Sequence, residues 1–149
     1  MKNLVPLIST RTIGPLGLVH LPRLWLKMRL AAKGMLAEGY RFGEGGFDGV
    51  LLDALGIQGD DAVAYVTKSQ PSYFEFEDWV REHANPDSLE AEAIDALNER
   101  ILTFPKPEPV RSETLDLLGL PQSDKEWLGT DLNDLEDWYG IHLALLEEA

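Results

Sequence analysis

Apolar residues recur every three or four positions along most of the chain, and no strongly alternating strand pattern appears. The pattern therefore predicts helices rather than strands. From Leu21 onward, Leu21, Leu24, Trp25, Met28, Ala32 and Met35 share one helical face, while Leu26 and Leu30 fall on another. A helix with two apolar faces is packed on both, which places it at the centre of a bundle or in a subunit interface. Pro22 suits its first turn, where a missing N–H costs nothing. A second helix is expected from an Asp48 cap to Leu55, with Gly56 left-handed and Ile57 packing back. Asp60-Asp61 open a third, carrying Val63, Ala64, Tyr65 and Val66. Ser72-x-x-Glu75 forms a capping box for a fourth, with Phe76, Trp79, Val80 and His83 along one side and Asn85-Pro86 at its end. Asp87-x-x-Glu90 opens a long helix that buries Ile94, Leu97, Ile101 and Phe104. A short helix from Ser112 to Leu118 is stopped by Gly119 and Pro121, and a last helix carries Leu135, Trp138, Tyr139, His142, Leu145 and Leu146. The expected fold is all-α, one multi-helix domain of about seven helices.

Pro105-Lys106-Pro107-Glu108-Pro109 reads as a stiff extended connector, because three prolines cannot donate backbone hydrogen bonds. It divides residues 1–104 from 110–149, and the second part is too short for a large core of its own, so it should pack on the first. Two motifs occur twice in the same order. Leu52-Asp53-Ala54-Leu55-Gly56-Ile57 is echoed by Leu115-Asp116-Leu117-Leu118-Gly119-Leu120, and Phe76-Glu77-Asp78-Trp79 by Leu135-Glu136-Asp137-Trp138, each Trp followed four residues later by His83 or His142. The echo suggests a duplicated helical hairpin. The plainer alternative is convergence on a common helix cap.

Charge narrows the function. The 149 residues carry a net charge of −13, unevenly spread. Residues 1–41 hold seven bases against Glu38, a balance of +6, and residues 42–149 hold six bases against 25 acids, a balance of −19. The favoured reading lays the basic segment across the acidic body and neutralises it internally; the sharper one makes the basic segment an anion site. Nucleic acid is not an expected partner, since most of the surface would repel a phosphate backbone. The chain has no cysteine, which removes disulfides and thiolate chemistry and fits a reducing, cytoplasmic setting. The amino-terminal residues lack a continuous apolar signal core. The apolar run from Leu16 to Leu36 is broken by Arg23, Lys27, Arg29 and Lys33, so no membrane span is expected.

No metal or cofactor motif emerges. His20, His83 and His142 are not spaced as ligands one turn apart. His83 and His142 sit on apolar, Trp-bearing faces and read as core histidines satisfied by a hydrogen bond. Gly43-Glu44-Gly45-Gly46 resembles a phosphate loop in glycine count alone, and Asp131-x-Asn133-x-Leu135 begins like a calcium loop and then departs from it. No catalytic residues are assigned. One constellation stands out: Arg23 and Lys27 lie four apart and neighbour each other on a helix face, which is unfavourable unless an anion lies between them. That anion is either a carboxylate of the acidic body or a ligand's phosphate or carboxylate. His20, just before the helix, could act as a neutral donor to it or cap the helix.

Gly17-Leu18-Val19-His20-Leu21-Pro22-Arg23 with Lys27 and Arg29, then Tyr40, Phe47-Asp48, Leu52-Asp53-x-Leu55-Gly56-Ile57, Trp79-Val80-x-Glu82-His83, Ile94 and Asn98, resembles domain of unknown function family 5069 over about residues 9–104. Leu26 and Leu97 depart from the residues usual there, and the last forty residues match poorly. The resemblance implies a small, soluble, bacterial, mostly helical protein without an established activity. It also singles out Arg23, Lys27, Tyr40, Asp48, Trp79, His83 and Asn98 as a group. Two readings follow. The first is a non-enzymatic interaction or small-ligand-binding module, with Leu26 and Leu30 pointing to a homodimer. The second is an enzyme or sensor for a small phosphorylated or carboxylated metabolite. The candidate anion-binding residues are His20, Arg23, Lys27, Tyr40, Trp79, His83 and Asn98.

Overall fold

The computed structural model describes residues 3–123 and 125–148. Among them are seven α-helices: α1 Leu21–Ala32, α2 Gly46–Leu55, α3 Gly59–Ser69, α4 Tyr73–His83, α5 Ala91–Leu102, α6 Val110–Leu117 and α7 Gly129–Glu148. A 3-10 turn, Pro86–Leu89, precedes α5. No sheet occurs among the described residues; three isolated bridges, Leu4 with Leu36, Ile13 with Val19 and Pro105 with Leu128, pin loops to one another. The fold is all-α, as the three-four rhythm predicts. None of the described helices is long and apolar enough to cross a membrane.

The core explains the order of packing. Leu21, Leu24 and Met28 of α1 are buried with Leu51, Leu52 and Leu55 of α2, Ala62 and Val66 of α3, Phe76 and Val80 of α4, and Ile94, Leu97 and Ile101 of α5. α1 lies on α3 and α4, α2 on α5, and α5 on α7. Leu26 and Leu30, the second apolar set of α1, are only half-buried. α1 ends before Met35, because the backbone turns at Lys33-Gly34.

Local chemistry sets most boundaries. Ser72 Oγ accepts from Glu75 N at 3.1 Å and Glu75 Oε1 accepts from Ser72 N at 2.9 Å, so the capping box opens α4 as expected. Two boundaries differ from the sequence expectation. Asp48 does not cap α2; Gly45 holds the N-cap position, and the Asp48 side chain turns instead toward α1. Asp87 falls in the 3-10 turn and Glu90 precedes α5, which ends before Phe104.

The echoed motifs share a cap but not a hairpin. Gly56 (φ 72°) and Gly119 (φ 73°) are both left-handed. Ile57 N donates to Leu52 O at 3.0 Å and Leu120 N to Leu115 O at 2.9 Å, the same closing bond. Beyond the caps the copies diverge: α3 follows the first, whereas the described residues of 120–128 contain no helix. Phe76 is fully buried and Trp79 half-buried, but Trp138 is 63% exposed. Conversely Asp78 is exposed and Asp137 buried.

The Pro-rich connector pairs rather than merely spans. Lys106 N donates to Trp127 O and Gly129 N to Phe104 O, both at 2.9 Å, bringing the start of α7 back beside the end of α5.

Candidate functional site

The centre of the site is built around His20, the residue before α1. Its backbone is left-handed (φ 72°), a region that histidine enters more readily than most residues other than glycine, and its surroundings hold it there from several sides. His20 N donates to Thr10 O at 2.8 Å, and Asn98 clasps the preceding loop, accepting from Val19 N at 3.0 Å and donating to Gly17 O at 2.8 Å. The imidazole is fully used. Nε2 lies 2.6 Å from Asp48 Oδ1 and Nδ1 lies 3.0 Å from Thr10 Oγ1. A neutral ring satisfies both contacts when Nε2–H donates to Asp48 and the Thr10 hydroxyl donates to Nδ1. Burial drives the His20 pKa below its ordinary value, outweighing the Asp48 carboxylate.

Asp48 gathers three donors: His20, the Lys27 ammonium at 2.8 Å, and Gly43 N at 3.0 Å. Burial alone would raise its carboxyl; the His20 hydrogen bond and the Lys27 charge outweigh it, and the group lies below the usual carboxylate range. Burial also lowers the Lys27 ammonium, despite its carboxylate partner.

A second buried array lies one turn earlier on α1. Arg23 meets Asp137 of α7 side-on, Nη1 to Oδ2 at 2.6 Å and Nη2 to Oδ1 at 3.0 Å. Its Nη1 also donates to Pro6 O and Ile8 O, each at 2.9 Å. The Tyr40 hydroxyl donates to Asp137 Oδ1 at 2.8 Å, and Tyr40 presents its ring to the guanidinium at 5.9 Å. Burial and the hydrogen bond to Asp137 push the Tyr40 phenol upward.

The two arrays form the floor of a cavity of about 720 Å³, walled by the starts of α2 and α7, the ends of α5 and α6 and the loop at Tyr40. Five lysines and arginines line it, Arg23, Lys27, Arg41, Arg100 and Lys106, against Glu38, Asp48, Glu136 and Asp137. Burial raises the Glu136 carboxyl. Arg23 and Lys27 are already paired. Among the described residues no carboxylate lies within 4.0 Å of Arg41, Arg100 or Lys106. The Arg41 guanidinium rests over Gly45 and Gly46, where a Cβ would come within 2.9 and 3.0 Å of its nitrogens.

Of the residues singled out in the sequence, His20, Arg23, Lys27 and Tyr40 come together here. Asn98 stands behind His20 as a loop clasp. Trp79 and His83 lie elsewhere: Trp79 stacks between Tyr65 at 4.8 Å and His83 at 4.4 Å, and the His83 ring meets the Trp79 carbonyl at 2.8 Å. His83 and His142 are exposed, so the expectation of core histidines fails for both; the buried histidine is His20, which its place before a proline-started helix did not reveal. Internal neutralisation of the basic segment is what the structure shows for Arg11 (with Asp131 and Asp134), Arg23 and Lys27. The sequence reading gave no role to Asp137, Arg100 or Lys106. Asp137 carried a signal in the Leu-Glu-Asp-Trp echo, but its contact with Arg23 spans 114 positions.

The family described as "Domain of unknown function (DUF5069)" matches residues 9–137, running past the Pro-rich connector to Arg23's partner. The chain belongs to this family. The match extends the resemblance seen over 9–104 and takes in every side chain of both buried arrays, from Thr10 to Asp137. No curated protein matches the chain.

Proposed function

We propose that this DUF5069 protein is a binding module for a small anionic ligand, held in the cavity between α2, α5, α6 and α7. One observation carries the reading: Arg41, Arg100 and Lys106 line a concave space with no ion-pair partner among the described residues, in a protein with twice as many acidic as basic residues. Arg41 and Arg100 are exposed and Lys106 half-buried, so a ligand carboxylate or phosphate can take their charge without first displacing a protein partner. Arg41 lies at the amino end of α2, whose free N–H groups add to the attraction. Arg23 and Lys27 serve as scaffold in this reading, because Asp137 and Asp48 already take their charge.

A binding role is favoured over an enzymatic one by His20. Its imidazole and the Thr10 hydroxyl beside it are at most 2% exposed, so neither is open to a ligand. A thermal-shift screen of phosphorylated and carboxylated metabolites tests the proposal. A ligand at 100 times its dissociation constant raises stability by about 2.7 kcal/mol, and Arg41→Gln should abolish the shift. A screen without an Arg41-dependent hit would remove the reading.

Self-association is a second reading, favoured by the apolar residues that α7 leaves uncovered, including Trp138, Leu145 and Leu146. Light scattering on the wild type, Leu26→Glu and Trp138→Glu separates the two helix faces. A wild type that stays monomeric at high concentration would exclude it.

A further inference from the structure

We propose that the cavity takes an amphiphilic anion, an acidic head carrying an apolar acyl or aryl body, rather than a small polar anion; this rests on the anion-binding reading above. The cations are only half of the lining. Val50, Phe47, Ile101, Phe104, Leu117 and Leu118 supply an apolar wall. Two of these are large, apolar and uncovered: Phe104 is 44% exposed and Leu117 is 69% exposed. Apolar side chains left open in a concave site mark ligand contact more often than chance exposure on a convex surface does. The wall is shaped as well as apolar. Phe47 and Phe104 meet edge-to-face at 5.9 Å, and Gly129 lies so close that a Cβ there would reach 2.8 Å from the Phe47 ring. Arg100 and Lys106 flank Phe104 in the chain, so cationic heads stand at the margin of the apolar surface. Their aliphatic stems can extend it.

The two halves together select the ligand class. A phosphate ion would answer the cations and leave Phe104 and Leu117 wet. A hydrocarbon would cover Phe104 and Leu117 and leave Arg41, Arg100 and Lys106 uncompensated in a drier recess. A volume of about 720 Å³ is in the range of pockets that enclose drug-sized molecules.

Calorimetric titration with acetate, butanoate, hexanoate and octanoate, alongside inorganic phosphate, adenosine monophosphate and octanol, tests this. Affinity should tighten about fourfold for each added methylene that the wall covers. Leu117→Ser, a neutral change at a position 69% exposed, should flatten the dependence on chain length while acetate binding persists. Arg41→Gln should weaken every carboxylate by a similar factor. Phosphate or the nucleotide binding as tightly as octanoate, with no chain-length trend, would overturn the amphiphile and leave the anion reading standing. Octanol binding as tightly as octanoate, or no anion binding at all, would overturn both.

Discussion

Arg23 of α1 and Asp137 of α7 face each other through two parallel contacts, and neither side chain is more than 5% exposed. The pair ties the amino-terminal loop, through Pro6 O and Ile8 O, and the last helix to the centre of the bundle. Removing one partner leaves a buried charge without its counterion. Asp137→Ala should cost about 3–5 kcal/mol, and the double variant Arg23→Met/Asp137→Leu should recover only part of that loss, because Pro6 O, Ile8 O and the Tyr40 hydroxyl lose their partners. Urea denaturation measures both. If the helices on the two sides of the connector form one folding unit, wild type should unfold in a single transition, and a cheap Asp137→Ala would refute the tie.

His20 makes stability depend on pH. The unfolded histidine takes up a proton near its ordinary value of 6.5, and the folded one only at lower pH. The unfolded state therefore binds more protons just below 6.5, and stability falls as pH drops through that window, with a slope of at most about 1.4 kcal/mol per pH unit. Asp48 acts in the same direction at lower pH: its contribution is present above the ordinary 3.8 and is lost as pH falls through the lower folded value. Urea midpoints between pH 5 and 8 should show this decline in the wild type and a flatter profile in His20→Gln. Parallel profiles would mean that His20 is not the group responsible.

The first echoed segment anchors the core through Phe76, whereas the second leaves Trp138 in solvent, and substitutions at the two read that difference. Phe76 has no exposed surface, so Phe76→Ala should cost about 3–5 kcal/mol. Trp138→Ala, at a mostly exposed position, should stay within about 0.5 kcal/mol. A large loss at Trp138 in a monomeric protein would show that its face is covered in solution.

Helices could be read from this sequence because their signals are local. The capping box at Ser72, the left-handed glycines at 56 and 119, and the apolar stripe of α1 each lie within a few residues of the structure they specify. The site was harder to read because its pairings are long-range. Arg23 and Lys27 were visible as neighbouring cations, but nothing local says that Asp137 answers one and Asp48 the other. The capping preference of aspartate pointed Asp48 at its own helix, and a buried His–Lys pair drew it away. The apolar rhythm of α7 misled in the opposite sense, since periodicity shows that a face exists and not what covers it.

Gly45 should resist substitution for two reasons. Its φ of 69° belongs to the region glycine favours, and a Cβ would stand 2.9 Å from Arg41 Nη1. Gly45→Ala should cost about 1–3 kcal/mol and displace the Arg41 guanidinium. Denaturation reads the first effect and titration with octanoate the second. Unchanged affinity would detach Arg41 from the binding role.

The engagement of both imidazole nitrogens makes His20 a keystone. Three stretches distant in the chain, the Thr10 loop, the start of α1 and the first turn of α2, converge on that single ring. A glutamine amide also sets a donor and an acceptor on either side of one carbon, but on a longer, freely rotating stem and without the ring that packs against Phe47. A lesion at this one position would loosen all three stretches together, which makes it the most economical place to ask whether the cavity floor and the fold can be separated.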